Sequence, residues 1–253
     1  MKYLIWALGG VLLGVMLYLL FLVACAMLVD PNREYDNHSR FYRCLLNGAD
    51  RIAIWGARIR IHASGLEKIP KGTKKILFVS NHRSNFDPIV TWGVLKKWNP
   101  AFVSKASNFR IPIFGRMIRK CCFLAIDREN PRKAILTIQK AAQLLEKGEV
   151  SIGIYPEGTR SKDCRLLPFH NGVFKIAQKA QAPVVVLGVS GTEKIHKNYP
   201  FHHTDVYLEV LDVIAAEEVV NSRTADLGDR ARQKMEQYLQ IEGAEYGSRI
   251  CDL

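Results

Sequence analysis

Two short loops in this chain carry residue types that can do chemistry together. The first is Asn81-His-Arg-Ser-Asn-Phe-Asp-Pro88, which follows the apolar run Lys75-Ile-Leu-Phe-Val-Ser80. A neutral imidazole at His82 can take a proton from an attacking hydroxyl. A carboxylate at Asp87 can fix the ring's tautomer and stabilise the imidazolium that forms. The pair Asp87-Pro88 also reads as a plain helix start, since Asp caps helices and Pro is favoured at the first helical position. The second loop, Tyr155-Pro-Glu-Gly-Thr-Arg-Ser161, likewise follows an apolar run, at 150–154. Gly158 lets backbone N–H groups approach an anion, and Arg160 offers a planar fork that matches phosphate. Alone, Pro-Glu-Gly-Thr is also an ordinary turn sequence.

Rigid elements must hold such loops in place. Runs at 75–80, 101–105, 122–126, 150–154, 183–189 and 205–214 read as strands. Helices are expected after Pro88, at about 112–119, from Pro131 to Gly148, at 172–180 and at about 222–241. In the Pro131 helix, Ile135, Ile138, Ala142 and Leu145 share one face. Strands alternating with helices predict an α/β fold with a mostly parallel central sheet flanked by helices. In such a sheet both loops emerge at one edge, where α/β proteins bind ligands.

The chain has 253 residues and a net charge of +12, so its expected partners are anionic: nucleic acid, acidic membrane or a phosphorylated or CoA-type substrate. Residues 3–29 are almost wholly apolar, long enough for a bilayer helix. Leu22-Val-Ala-Cys25 also resembles a lipobox and Ala24-Cys-Ala26 a signal-peptidase site, but the apolar run continues past Cys25. Arg33, Arg40, Arg43, Arg51, Arg58 and Arg60 follow this segment while Lys2 stands alone before it, which predicts an active domain on the cytoplasmic side. From Tyr35 to about Ile61 the pattern is that of a basic amphipathic helix, suited to a membrane interface or to packing on the globular domain with its arginines solvated. We therefore expect membrane-anchoring and docking helices over 1–60 and an α/β domain over 61–253. The six cysteines show no zinc-ligand spacing, and adjacent Cys121 and Cys122 read as small core residues on a strand. Nucleic acid is disfavoured, because the arginines cluster beside an apolar anchor and no recognition motif accompanies them. The sequence sets no oligomeric state.

Taken together, Asn-His-Arg-Ser-Asn-Phe-Asp and Tyr-Pro-Glu-Gly-Thr-Arg-Ser resemble the glycerolipid acyltransferase family, specifically the 1-acyl-sn-glycerol-3-phosphate acyltransferases. The likeness spans about residues 60–215 and includes two weaker blocks, Gly115 to Ile126-Asp-Arg128 and Ala182-Pro-Val-Val-Val-Leu187. The resemblance implies transfer of a fatty acyl group from acyl-CoA or acyl carrier protein to the 2-hydroxyl of lysophosphatidic acid, giving phosphatidic acid at a phospholipid membrane. His82 would be the general base and Asp87 its orienting partner, with no covalent acyl-enzyme, no metal and no cofactor beyond the thioester co-substrate. Glu157, Gly158, Thr159 and Arg160 match the family's acceptor-binding loop, with Arg160 for the acceptor phosphate. Arg128 matches the family's other arginine block, although an ion pair with Asp127 or Glu129 explains it as well. Lys105 is placed where a phosphate-binding lysine would serve, and a solvated surface lysine is the alternative. One departure stands out: many relatives carry Pro-Phe-Lys-x-Gly where this chain has Pro168-Phe-His-Asn-Gly172, so a basic contact is either lost or replaced by His170 or Lys175. Other acceptors, glycerol-3-phosphate or another lysophospholipid, define a related reaction. A basic membrane-surface binding protein without turnover is the reading from a different class.

Overall fold

The computed structural model describes residues 2–245. The apolar N-terminal run is one helix, α1 (Lys2–Met27), and the basic stretch after it is a second, α2 (Arg40–Gly56). The Ser39 hydroxyl accepts a hydrogen bond from the Tyr42 N–H and caps the start of α2. The helix pattern runs on to residue 61 in the sequence, but the chain leaves the helix at Gly56. Arg58 adopts φ 55°, and a strand follows, β1 (Ile59–Ser64). Six residues are too few to show their own period; pairing with a distant strand decides the matter.

The elements after β1 are β2 (Leu77–Ser80), α3 (Asp87–Leu95), β3 (Pro100–Lys105), α4 (Phe114–Arg119), β4 (Leu124–Ile126), α5 (Pro131–Glu146) and β5 (Ser151–Ile154). Then come α6 (Lys175–Ala180), β6 (Val184–Ser190), α7 (Ile195–Asn198), β7 (Thr204–Ile214), α8 (Ala216–Asn221) and α9 (Thr224–Glu245). The strands form one sheet in the order β1-β7-β6-β2-β5-β3-β4. Every neighbouring pair is parallel except β6 with β7, as the alternating pattern predicts. Cys121 and Cys122 are buried as expected, but in the turn before β4 rather than on the strand.

All of β2 and all of β6 are buried, which suits central strands covered on both faces. Successive residues of β2 serve opposite layers. Leu77 and Val79 pack with Leu144, Leu145, Ile176 and Met235 of α5, α6 and α9, while Phe78 packs with Val90 and Leu95 of α3. The N-terminal helices join the domain through a third cluster, where Leu22, Cys25 and Ala26 of α1 meet Tyr42, Leu45 and Leu46 of α2 and Met117 and Ile118 of α4.

Arg43 is neither at an interface nor in solvent, contrary to the expectation for this stretch. It is buried, donates to the carbonyls of Pro100 (3.0 Å) and Cys121 (3.3 Å), and its guanidinium lies 4.8 Å from the Trp92 ring centroid. Those donors satisfy two carbonyls that water cannot reach. Further along α2, Asp50 faces α3 so closely that a Cβ on Gly93 would lie 2.9 Å from its Oδ2. Burial raises the Asp50 pKa to about 7, opposed by Lys96. Its folded-state pKa thus lies above the unfolded value, so its contribution to stability is full below about pH 4 and is lost as pH rises towards 7. Asp50→Asn is expected to stabilise the protein at pH 8 by about 1–3 kcal/mol, after discounting for partial solvent access, and to leave stability at pH 4 nearly unchanged. Urea unfolding at the two pH values checks this.

Candidate active site

The sheet order sets a row of strand exits along one edge. Reading across it, β6 ends before Thr192, β2 before His82, β5 before Tyr155, β3 at Lys105 and β4 before Arg128. A parallel sheet therefore brings to one edge the residues that the sequence separates by more than a hundred positions.

Asn81 sits at the end of β2, where its side-chain amide behaves like one more peptide group. It donates to the Val189 carbonyl and accepts from the Val189 N–H, both at 2.8 Å, so it extends the ladder between β2 and β6. His82 follows, turned out of the sheet, with its Nδ1 2.7 Å from Asp87 Oδ2. The same Oδ2 accepts the backbone N–H groups of Arg83 (2.7 Å) and Ser84 (2.8 Å). Asp87 Oδ1 accepts from the Thr192 hydroxyl. Asp87 is the first residue of α3, preceded by Phe86 at the N-cap. A helix does start here, but one residue earlier than an Asp87 cap requires, and the carboxylate turns back to the histidine loop. At 1% exposure a carboxylate needs such partners, and four donors with a helix N-terminus supply them.

A carboxylate can only accept, so the proton between the two groups belongs to His82 Nδ1, and Nε2 carries the free lone pair. The ring keeps 13% of its side-chain surface in contact with solvent. On one face it stacks on Tyr155 at 4.3 Å between centroids, and Tyr155 lies nearly parallel to Phe102 behind it. Burial, with the Asp87 charge nearby, holds the Tyr155 hydroxyl well above its ordinary pKa, so it stays neutral. A geometry of this kind can accept a proton at Nε2 and return it.

The second loop is tied to the first. Glu157 Oε1 accepts the His82 N–H at 2.7 Å and Oε2 accepts the Leu167 N–H at 2.9 Å, while the Ser161 N–H donates to the His82 carbonyl at 2.9 Å. Burial pushes the Glu157 pKa up, and the two N–H donors oppose that shift. The sequence places Glu157 among acceptor-binding residues; its carboxylate is buried and turned inward as a brace between the loops. Gly158 has φ 68°, and a Cβ there would meet the His170 ring at 2.9 Å. His170 therefore lies against the loop at Gly158, and both it and Lys175 of α6 are exposed.

Thr159 and Arg160 are exposed, and the Arg160 guanidinium has no partner among the described residues. The other arginine of the two motifs is already committed: Arg83 donates to the Cys164 carbonyl at 2.9 Å and lies 3.9 Å from Glu193. Lys105 and Arg128 are exposed at the next two strand exits, and neither side chain has an ion pair or hydrogen bond among the described residues. The alternative pairing for Arg128 is not formed, because Asp127 instead pairs with Lys133 at 3.7 Å and accepts from the backbone of Glu129 and Asn130. Among the described residues no three His, Cys, Asp or Glu side chains converge to hold a metal ion. Thr192 was not a candidate on sequence grounds. The signal available was positional, a hydroxyl just past Gly191 at the exit of the apolar strand beside β2.

Glu157→Gln offers one acceptor oxygen where two buried N–H groups need two. The expected cost is about 1–3 kcal/mol, read as a lower urea midpoint at unchanged slope.

A family model described as Acyltransferase matches residues 60–190. The chain is 36% identical over 169 residues to a chloroplastic 1-acyl-sn-glycerol-3-phosphate acyltransferase of Arabidopsis thaliana, covering 67% of this chain and 45% of that one. It is 33% identical over 162 residues to the 1-acyl-sn-glycerol-3-phosphate acyltransferase of Escherichia coli (strain K12), covering 64% and 65%. To the protein of that name in Haemophilus influenzae it is 31% identical over 173 residues, covering 67% and 71%. The chain thus spans about half the length of the chloroplastic relatives it matches. The crystal structure of the 1-acyl-sn-glycerophosphate (LPA) acyltransferase PlsC from Thermotoga maritima superposes with a TM-score of 0.67 at 22% identity, covering 90% of each chain, a likeness of fold. The matched stretch holds both loops, the strands that carry them and the bonds between them: this chain belongs to the acyltransferase family.

Proposed function

We propose that the protein transfers a fatty acyl group from a thioester, acyl-CoA or acyl carrier protein, to the 2-hydroxyl of lysophosphatidic acid, forming phosphatidic acid. The observation that carries this reading is His82, held by the buried Asp87 with Nε2 free, one loop away from the unpaired guanidinium of Arg160. The names of the relatives supply the acceptor. With the acceptor phosphate on Arg160, and Lys105 and Arg128 adding positive charge along the same edge, the 2-hydroxyl approaches Nε2. His82 takes its proton as the oxygen attacks the thioester carbonyl, and Asp87 stabilises the imidazolium. The tetrahedral intermediate then collapses, the C–S bond breaks, and the proton passes from Nε2 to the leaving thiolate. No residue becomes acylated, and the reaction draws on no metal or redox group.

The membrane part of the reading rests on α1. Residues Ile5–Met27 form a helix long and apolar enough to cross a bilayer, and most of it is uncovered by the rest of the protein. Anchored there, with arginines following the helix, the catalytic domain would lie on the cytoplasmic side and draw its acceptor from the lipid surface.

Acyl transfer to lysophosphatidic acid in detergent-dispersed membranes tests the chemistry. His82→Ala is expected to lower kcat by about 10²–10⁴-fold, whereas Arg160→Ala should chiefly raise KM for the acceptor. Equal activity of wild type and His82→Ala would remove His82 as the base. Lipid binding without turnover in either form, with every acyl donor and acceptor of the family tried, would favour the binding-protein reading. Thr192 gives a separate prediction. Thr192→Val removes one donor from Asp87 and is expected to lower kcat roughly ten-fold with KM little changed. Thr192→Ser should restore most of it.

A further inference from the structure

The sheet edge that carries His82 also carries exposed aromatic groups that the proposed reaction leaves unused. Strand β7 is antiparallel to β6, so it begins at this edge, and β1, parallel to β7, begins there too. The last turn of α2 therefore meets the segment entering β7. Trp55 of α2 is 76% exposed, and Tyr199 and Phe201 before β7 are 54% and 81% exposed. Three large aromatic side chains standing free at one corner are unusual on a surface that meets only water.

Arg58 locks this corner together. One ring nitrogen of His203 lies 3.1 Å from Arg58 Nη2 and the other 3.3 Å from the Arg58 carbonyl, and the Thr204 N–H donates to the same carbonyl at 3.1 Å. A single neutral tautomer of His203, with the proton on Nδ1, satisfies both contacts. The corner is thus built by side chains that fix the turn and leave the aromatic groups pointing outwards.

Helix α1 faces the same side. It runs antiparallel to α2, with the Tyr42 hydroxyl on the Cys25 carbonyl and the Tyr18 hydroxyl on the Leu45 carbonyl. From Tyr42 to Leu45, towards Trp55 along α2, the partner on α1 moves from Cys25 to Tyr18, so the apolar, exposed N-terminal half of α1 extends in the direction of Trp55. Aromatic side chains next to an arginine suit the headgroup layer, where rings sink and guanidinium groups meet phosphates.

We propose that the corner formed by Trp55, Arg58, Tyr199 and Phe201 is a second membrane-contacting surface that seats the active-site edge against an anionic bilayer. The proposal rests on the reading of α1 as a membrane helix. With contacts at α1 and at this corner, the protein would touch the bilayer on two sides of the His82 opening, and a lysolipid could enter without leaving the interface.

The full-length protein can be labelled with an environment-sensitive fluorophore at Phe201→Cys, Leu12→Cys on α1, or Lys71→Cys at the far sheet edge. A Cys44→Ser background removes the exposed free thiol among the described residues. On vesicles of phosphatidylcholine and phosphatidylglycerol, the labels at 201 and 12 should shift to the blue with several-fold higher intensity, and the label at 71 should stay water-like. If 12 enters the bilayer and 201 stays in water, the corner is no membrane surface, while α1 keeps its role. If neither enters, the membrane reading falls and takes the proposal with it. If the 201 label turns apolar without vesicles as protein concentration rises, the corner is an interface between copies and the proposal is wrong. The unlabelled double variant Trp55→Ser/Phe201→Ser should bind the same vesicles roughly ten-fold more weakly and keep its turnover of detergent-dispersed acceptor. Unchanged vesicle binding would overturn the proposal.

Discussion

One buried carboxylate organises the sheet edge that carries His82. Asp87 gathers the ring of His82, two backbone N–H groups of the same loop and the hydroxyl of Thr192, just past the end of β6. Leaving any of these groups out would strand charge or donors away from water, so loop and ring have one arrangement in which all are satisfied. The tautomer of His82 follows from that arrangement, since an ionised Asp87 can only accept. A histidine with the same sequence spacing but a solvent-exposed carboxylate would have no such constraint.

Around Asp87, charged side chains divide into braces and free groups. Glu157 ties the two loops through their backbones, and Arg83 is bound to the 164 carbonyl and near Glu193. Arg160, Lys105 and Arg128 lie at the same edge with their charges unpaired among the described residues. An anion arriving at this edge meets the second group and not the first. The N-terminal helices hold a further brace, Arg43, which fastens α2 to the domain through carbonyls and an aromatic ring.

The central strands were legible because they are short and mostly apolar, and the two loops because each follows such a strand and contains a residue pair with a recognisable use. The parallel sheet followed from alternation of strands and helices. Strand β1 was not legible: its alternation is short, it continues a helix-like stretch, and it exists by pairing with β7, 145 positions away at Ile59 and Thr204. Thr192 was equally hidden, since a lone threonine gains meaning only when β6 is placed beside β2. The inward role of Glu157 was missed for a related reason. Its neighbours Gly158 to Arg160 do face outwards, and no local pattern tells a brace from a ligand within one tight loop. Arg43 looked like its basic neighbours because a helical period alone does not reveal that the domain covers one arginine and leaves the others exposed.

The most direct test of the account is the protonation state of the His82 ring, read from ¹⁵N chemical shifts of labelled histidine assigned by comparison with His82→Ala. At a pH where the enzyme turns over, the proton should sit on Nδ1 and Nε2 should be unprotonated, and Asp87→Asn should disturb that preference. A wild-type ring protonated on Nε2 alone would contradict the account, because the nitrogen that must take the acceptor's proton would already hold one.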